Sequence, residues 1–186
     1  MQSFLKVEDD DPEYPTYRTL HLFLAMNPST SPKTLLSIMK SEDENEDPPF
    51  LRHGVACNPS TSPEALEILG KHKIWGVRQR VSEHVSTPDE LLMLLAKDKE
   101  LGVRKSLAKR KTLPVAALEI LSKDKSSEVR MWVAISSKTP IEILSVLAKD
   151  KSPYVREAVE AHPSLPIEAI KYFEDREQRA LWGDLA

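Results

Sequence analysis

The chain has 186 residues, 40% of them hydrophobic and 30% charged, with 6% aromatics, 5 glycines and a formal net charge of −3. That length allows one domain with a buried core, and so little glycine and aromatic content argues against a β-sandwich. The single cysteine, Cys57, excludes an intrachain disulfide, a four-thiolate zinc site and an iron–sulfur cluster, and reads as a small buried apolar residue.

The opening stretch MQSFLKVEDDD contains no apolar run of the signal-peptide kind, and no segment approaches the roughly 18 apolar residues of a membrane span. The expectation is a cytoplasmic protein with no membrane contact. The net charge conceals a polarity along the chain. Residues 1 to 69 carry 5 basic and 12 acidic groups, residues 70 to 138 carry 15 and 8, and residues 139 to 186 carry 6 and 9.

In chain order, residues 1–16 form an acidic lead (Glu8, Asp9, Asp10, Asp11) interrupted by Pro12 and Pro15, without helical period and expected to be partly disordered. Repeats begin at Tyr17. The segments LHLFLAMNPSTSPKTLLSIM and FLRHGVACNPSTSPEALEIL are near-copies sharing the hexamer NPSTSP, at Asn27 to Pro32 and again at Asn58 to Pro63. Between them SEDENEDPP stretches the first spacing to 31 residues, and reads as a solvated loop because like charges repel and Pro48-Pro49 opposes helix.

From there the period is 26. A Val-Arg pair or its equivalent recurs as Leu51-Arg52, Val77-Arg78, Val103-Arg104, Val129-Arg130 and Val155-Arg156. Three apolar columns accompany it: Leu66, Leu92, Leu118, Leu144 and Ile170; Leu69, Leu95, Leu121, Leu147 and Phe173; and Ile68, Leu94, Ile120, Val146 and Tyr172. They predict a first helix of about ten residues with an apolar stripe. Thr87-Pro88-Asp89-Glu90 and Thr139-Pro140-Ile141-Glu142 read as capping boxes, with Ser31-Pro32 and Ser62-Pro63 as related starts. Each first helix ends in a Lys-rich turn, such as Lys97 and Lys99. A second helix of about eight residues then carries the Val-Arg pair, with Ser126 and Ser152 as expected caps.

Helices this short are unstable alone, so each copy must bury its stripe against its neighbours. The sequence therefore predicts an all-α solenoid of about six 26-residue two-helix repeats over residues 17–173, closed by a C-terminal cap at 174–186 containing Leu181, Trp182 and Leu185.

The unit exemplified by Val103, Arg104, Leu107 and Ala108, then Thr139, Pro140, Glu142, Leu144, Leu147, Ala148, Lys149 and Asp150, resembles the variant leucine-rich repeat family and, more distantly, HEAT-type helical repeats. That resemblance covers roughly residues 20 to 173. It implies a right-handed superhelix of α-helices alternating with short helices, some of them 3₁₀. An iron–sulfur member of the family has a Cys-rich segment ahead of its repeats; nothing of the kind is present here, so no cluster, cofactor or metal is carried over.

Three sets of residues carry the candidate functions. Asp98, Asp124 and Asp150 stand six residues before Arg104, Arg130 and Arg156, the spacing at which HEAT-like repeats pair an inter-helix Asp with an Arg, which makes a structural ladder the first reading and a phosphate-binding Arg stripe the second. Arg78 has His72 where the acid would be, and so stands apart. Arg80, Lys105, Lys109, Arg110 and Lys111 are not periodic; they read either as a solvated face or as a groove for an anionic partner. Met131, Trp132 and Ile135 occupy related positions one copy later, either as a partner-binding hot spot or as packing against an adjacent unit. Trp75 and Trp182 read as core or cap, and His84 and His162, which share a repeat position with Asn58, as polar structural residues.

No catalytic set, metal-ligand spacing or phosphate loop is legible among these residues. The expected function is a non-catalytic scaffold whose concave face, centred on Arg80, Lys105, Lys109 and Trp132, receives an acidic or amphipathic protein. The alternative is a nucleic-acid-binding repeat protein similar to the helical-repeat DNA glycosylases.

Overall fold

The computed structural model describes residues 17–41, 49–165 and 171. The expected acidic lead, the SEDENEDPP loop, the C-terminal cap with Trp182, and the column members Ile170, Tyr172 and Phe173 lie wholly or largely outside the described residues. Eleven α-helices, and no strand, occur among the described residues. They fall into two compact units, one ending at Pro88 and the other starting at Asp89.

The first unit holds α1 (Tyr17–Met26), α2 (Pro32–Ser41), α3 (Pro49–Cys57), α4 (Pro63–Leu69) and α5 (Trp75–Glu83). Helices α1, α3 and α5 pack side by side as one layer, and α2 and α4 as the other. The second unit holds α6 (Asp89–Leu95), α7 (Leu101–Ala108), α8 (Val115–Ser122), α9 (Ser127–Ile135), α10 (Ile141–Leu147) and α11 (Pro153–Glu160). Here α6, α8 and α10 form one layer and α7, α9 and α11 the other. Each unit is thus a stack of two-helix repeats, as the 26-residue period predicts.

The core runs between the layers. In the second unit Leu92, Leu118, Leu144, Leu95, Leu121, Leu147, Val103, Val129, Val155, Leu107, Val133 and Val159 are at most 2% exposed. With about 25 cal/mol gained per Å² of apolar area removed from water, these columns supply the stability that helices of seven to nine residues lack by themselves. The third column departs from expectation: Ile68, Leu94 and Val146 are 40%, 49% and 66% exposed. At 100° per residue, positions i and i+3 lie 60° apart while i+2 falls 160° from i and 100° from i+3, so the helix face closes on Ala65, Leu91, Ala117 or Ile143 instead.

Helix boundaries also differ in their chemistry. The first helices α4, α6, α8 and α10 run seven or eight residues, not ten. Ser31 and Ser62 do cap, accepting the amides of Thr34 and Ala65 on Oγ. The Thr-Pro sequences are no capping boxes. Thr30, Thr61, Thr87 and Thr139 turn backwards and donate Oγ1 at 2.6 Å to the carbonyls of Leu24, Val55, Val81 and Val133, six residues earlier at the end of the preceding second helix. Nor do Ser126 and Ser152 cap with their side chains; their own amides are held by Asp124 Oδ1 and Asp150 Oδ1 at 2.8 Å.

Two single residues are likewise placed differently from expectation. Trp75, at the first position of α5, is 50% exposed and so belongs to no core. Cys57, at the end of α3, is exposed as well.

Candidate partner-binding surface

The Val-Arg pairs divide their labour by side-chain direction. Val enters the core, while Arg, next along the helix, turns to the edge where the inter-helix turns stack. Arg104 Nη1 donates to the carbonyls of Asp98 at 2.7 Å and Lys99 at 3.0 Å, in the turn just before its own helix. Its Nε and Nη2 reach across to the carboxylate of Asp124, in the next turn. Arg130 repeats this with the carbonyls of Asp124 and Lys125 and the carboxylate of Asp150. The Asp six residues earlier therefore contributes its backbone, and the carboxylate partner stands 20 residues further on, a correction to the pairing read from the sequence. Arg156 donates to Asp150 O and Lys151 O; the residue 20 further on is Arg176, and among the described residues Arg156 meets no carboxylate.

The Arg130–Asp150 pair shows the electrostatic consequence. Burial alone would raise the Asp150 pKa, but the hydrogen bond from Arg130, the Ser152 amide and the positive charges of Arg130 and Lys151 outweigh it and hold the carboxyl below its ordinary value. The same hydrogen bond raises the pKa of Arg130 against the cost of its own burial.

Arg78 does not reach the surface proposed for it. It is 7% exposed, and its Nη1 donates to the carbonyls of His72 and Lys73. It is a structural member of the Arg column.

A second column of polar residues, sharing one repeat position at the ends of the second helices, is found within each unit. Asn58 Nδ2 donates to Ala25 O and Asn27 O, both at 2.8 Å. His84 Nε2 contacts Asn58 O at 2.9 Å and His162 Nε2 contacts Ser136 O at 3.1 Å. In both histidines Nδ1 accepts an amide, from Ser86 and from Ser164, which places the proton on Nε2 and makes that atom the donor. Arg110 shares this column. It is half-buried, and desolvation lowers its pKa while Asp89 partly restores it. It is therefore no freely solvated addition to the basic face.

The remaining candidates divide between the units. In the first, Arg80 pairs with Glu83 at 2.9 Å and donates Nε to His53 Nε2 at 3.1 Å. In the second, Lys105 on α7 pairs with Glu128 on α9 at 2.9 Å. Lys109 stays exposed and holds its ammonium 4.8 Å from the centre of the Trp132 ring. Trp132 lies partly buried between α7 and α9, with its indole N–H enclosed and without a hydrogen-bond partner.

Ile135, 48% exposed, forms a ridge between two grooves. On one side a groove of about 420 Å³ is lined by Lys109, Arg110, Lys111, Trp132 and Lys138. On the other a groove of about 380 Å³ is lined by Met131, Tyr154, Glu157 and Ala158. The structure thus brings Lys109, Arg110, Met131, Trp132 and Ile135 together on the α7–α9–α11 layer, while neutralising Lys105.

Two lining residues escaped the sequence reading. Lys138 sits just before Thr139-Pro140, a turn whose sequence pattern marks only a boundary. Tyr154, 67% exposed, shares a repeat position with Phe50, Gly76, Gly102 and Glu128, a position with no fixed residue type and so no signal in the period. The first unit has a counterpart groove of about 470 Å³ between α1 and α3, lined by Leu22, Met26, Phe50, His53 and Cys57. Among the described residues no group of His, Cys, Asp and Glu side chains is arranged to hold a metal ion, and no helix is long and apolar enough to cross a membrane.

No protein-family profile matches the chain, and no curated protein does either. Among solved structures it is similar to one described as "a leucine-rich repeat variant with a novel repetitive protein structural motif", with a TM-score of 0.56 and 25% identity, over 88% of this chain and 65% of that one. The chain therefore spans a little under two thirds of that protein's length. Together with the stacked two-helix units, this match makes the chain a helical repeat protein with a fold similar to that of the leucine-rich repeat variant.

Proposed function

We propose that the protein is a non-catalytic scaffold that binds another protein through the α7–α9–α11 layer of its second unit. The observation that carries this reading is the ridge-and-groove pair around Ile135, with Trp132 and a cationic rim on one side and Met131 and Tyr154 on the other. Partly exposed aromatic and aliphatic side chains beside grooves are the usual anchors of a protein interface. The cations Lys109, Lys111 and Lys138 select an acidic edge on the partner and steer its approach. An amphipathic helix with apolar anchors one turn apart, straddling Ile135, and with Asp or Glu along one flank satisfies both requirements.

The test is selection from a displayed library of amphipathic peptides, followed by affinity measurement with the wild-type protein and with Trp132→Ala and Lys109→Gln. The expected result is enrichment of acidic amphipathic sequences whose affinity falls at least about tenfold in Trp132→Ala, a difference of about 1.4 kcal/mol. Thermal melting should show that Trp132→Ala costs well under the roughly 3 to 5 kcal/mol of a core aromatic. Failure to enrich any peptide that distinguishes the wild type from Trp132→Ala would overturn the reading. Tight, Lys109-dependent and steeply salt-sensitive binding of random duplex DNA would replace it with the nucleic-acid alternative.

A further inference from the structure

The most regular exposed charges of the second unit lie away from that layer, in the turns that follow α6, α8 and α10. Each turn reads Lys-Asp-Lys: Lys97-Asp98-Lys99, Lys123-Asp124-Lys125 and Lys149-Asp150-Lys151. The central carboxylate points inward. Asp124 and Asp150 are consumed by Arg104 and Arg130 from the preceding repeat, and all three carboxylates also hold an amide two residues on. The flanking lysines are all exposed, and among the described residues none makes an ion pair within 4 Å. Because one guanidinium bonds the carbonyls of one turn and the carboxylate of the next, the three turns are clamped in register. The acids that would neutralise the lysines are the ones that fix their spacing.

Beside each Lys pair lies one exposed or half-exposed apolar side chain, three residues before the first lysine: Leu94, Ile120 and Val146, whose carbonyls accept the amides of Lys97, Lys123 and Lys149 as the helix tightens into the turn. Adjacent packed helices sit about 8 to 10 Å apart, which sets the repeat of this cation-and-apolar strip. A polyproline-II chain has three residues per turn and advances about 3.1 Å per residue, hence about 9.3 Å per turn, with every third side chain on one face. A β-strand, whose side chains alternate with period two, would turn every second acid away from the strip.

We infer that the Lys-Asp-Lys edge is a docking strip for an extended acidic segment of a partner protein, carrying a carboxylate at every third residue and apolar side chains between. The lysine pairs take the carboxylates, and Leu94, Ile120 and Val146 take the intervening apolar groups, which a sugar-phosphate backbone does not offer. This edge shares no residue with the α7–α9–α11 layer, so either surface stands without the other.

The test uses the full chain and two synthetic peptides of identical composition, each about fifteen residues long. One repeats Glu-Leu-Pro; the other carries the same residues with the glutamates contiguous. The repeating peptide should bind at least tenfold more tightly at low salt and weaken as salt rises past about 0.1 M, where screening acts over about 10 Å. Replacing Lys97, Lys123 and Lys149 together by Gln should remove most of that affinity with an unchanged melting curve, and Trp132→Ala should leave it intact. If the triple variant fails to fold, Lys123→Gln alone should weaken binding several-fold. Equal affinity for the two peptides, indifference to the lysine variants, or lysine-dependent binding of duplex DNA or anionic vesicles in place of the repeating peptide would overturn the inference.

Discussion

Arg130 donates Nε at 2.6 Å and Nη2 at 2.8 Å to the two carboxylate oxygens of Asp150, one repeat further along, while its Nη1 holds Asp124 O at 2.7 Å. Both side chains are under 10% exposed. Removing one partner leaves the other charge buried and uncompensated, so Arg130→Ala should destabilise the protein by about 3 to 5 kcal/mol. The double variant Arg130→Ala/Asp150→Asn should cost clearly less than the sum of the two single changes. Denaturant melts of all four proteins measure that coupling.

The same pair sets an acid limb. Asp150 has a lower pKa folded than unfolded, so between the two values the unfolded chain binds more protons and stability rises with pH. Its contribution is complete above the unfolded value of about 3.9 and is lost as pH falls through the depressed folded value. Arg130, raised in pKa, keeps its contribution at every pH below the unfolded arginine range and shapes only the far alkaline side. Asp150→Asn should therefore flatten the acid end of a stability-against-pH curve and leave its slope near neutrality unchanged.

The Thr-Pro turns offer a cleaner test of a neutral bond. Thr139→Val preserves shape but deletes the hydroxyl donated to Val133 O, a carbonyl that also accepts the Ser136 amide. The expected cost is about 1 kcal/mol, or about 2 to 4 °C in melting temperature for a chain of this size. If the threonine were a helix cap, Thr139→Ser would be neutral and Thr139→Val would unravel the start of α10. As the hydroxyl points backwards, hydrogen exchange should instead increase at the end of α9.

Cys57 is exposed, yet desolvation raises its thiol pKa, Arg80 lowers it in part, and Glu83 raises it further. Alkylation at neutral pH should be slower than for a free peptide cysteine, because only the thiolate reacts. Arg80→Gln should slow it again, and Glu83→Gln should accelerate it. Rates of iodoacetamide labelling measured against pH separate these effects.

Much of this architecture is legible in the sequence because a 26-residue period assigns every column at once. What the period conceals is direction. Asp98 and Asp124 occupy the same column, so a rule linking Arg104 to the residue six before it is indistinguishable in sequence from one linking it to the residue 20 after it. The fold uses both, the first through a carbonyl and the second through a carboxylate. Likewise Ile68, Leu94 and Val146 are apolar in every copy, and only the helical angle, which turns this position away from the buried stripe, leaves them exposed. At the candidate surface, Trp132 and Ile135 stood out as breaks in their columns. The neutralisation of Lys105 by Glu128 and the recruitment of Lys138 depend on distances across helices that no column reports.

The polar column carries a final consequence. His162 reaches the residue 26 before it, and Asn58 reaches Asn27, 31 before it, across the one spacing that has five extra residues. The bonds of this column are thus relative addresses, counted in copies and indifferent to how many residues separate them. Such a chain can change length by whole duplications without redesigning any contact, while a deletion of half a copy would misdirect both polar columns together.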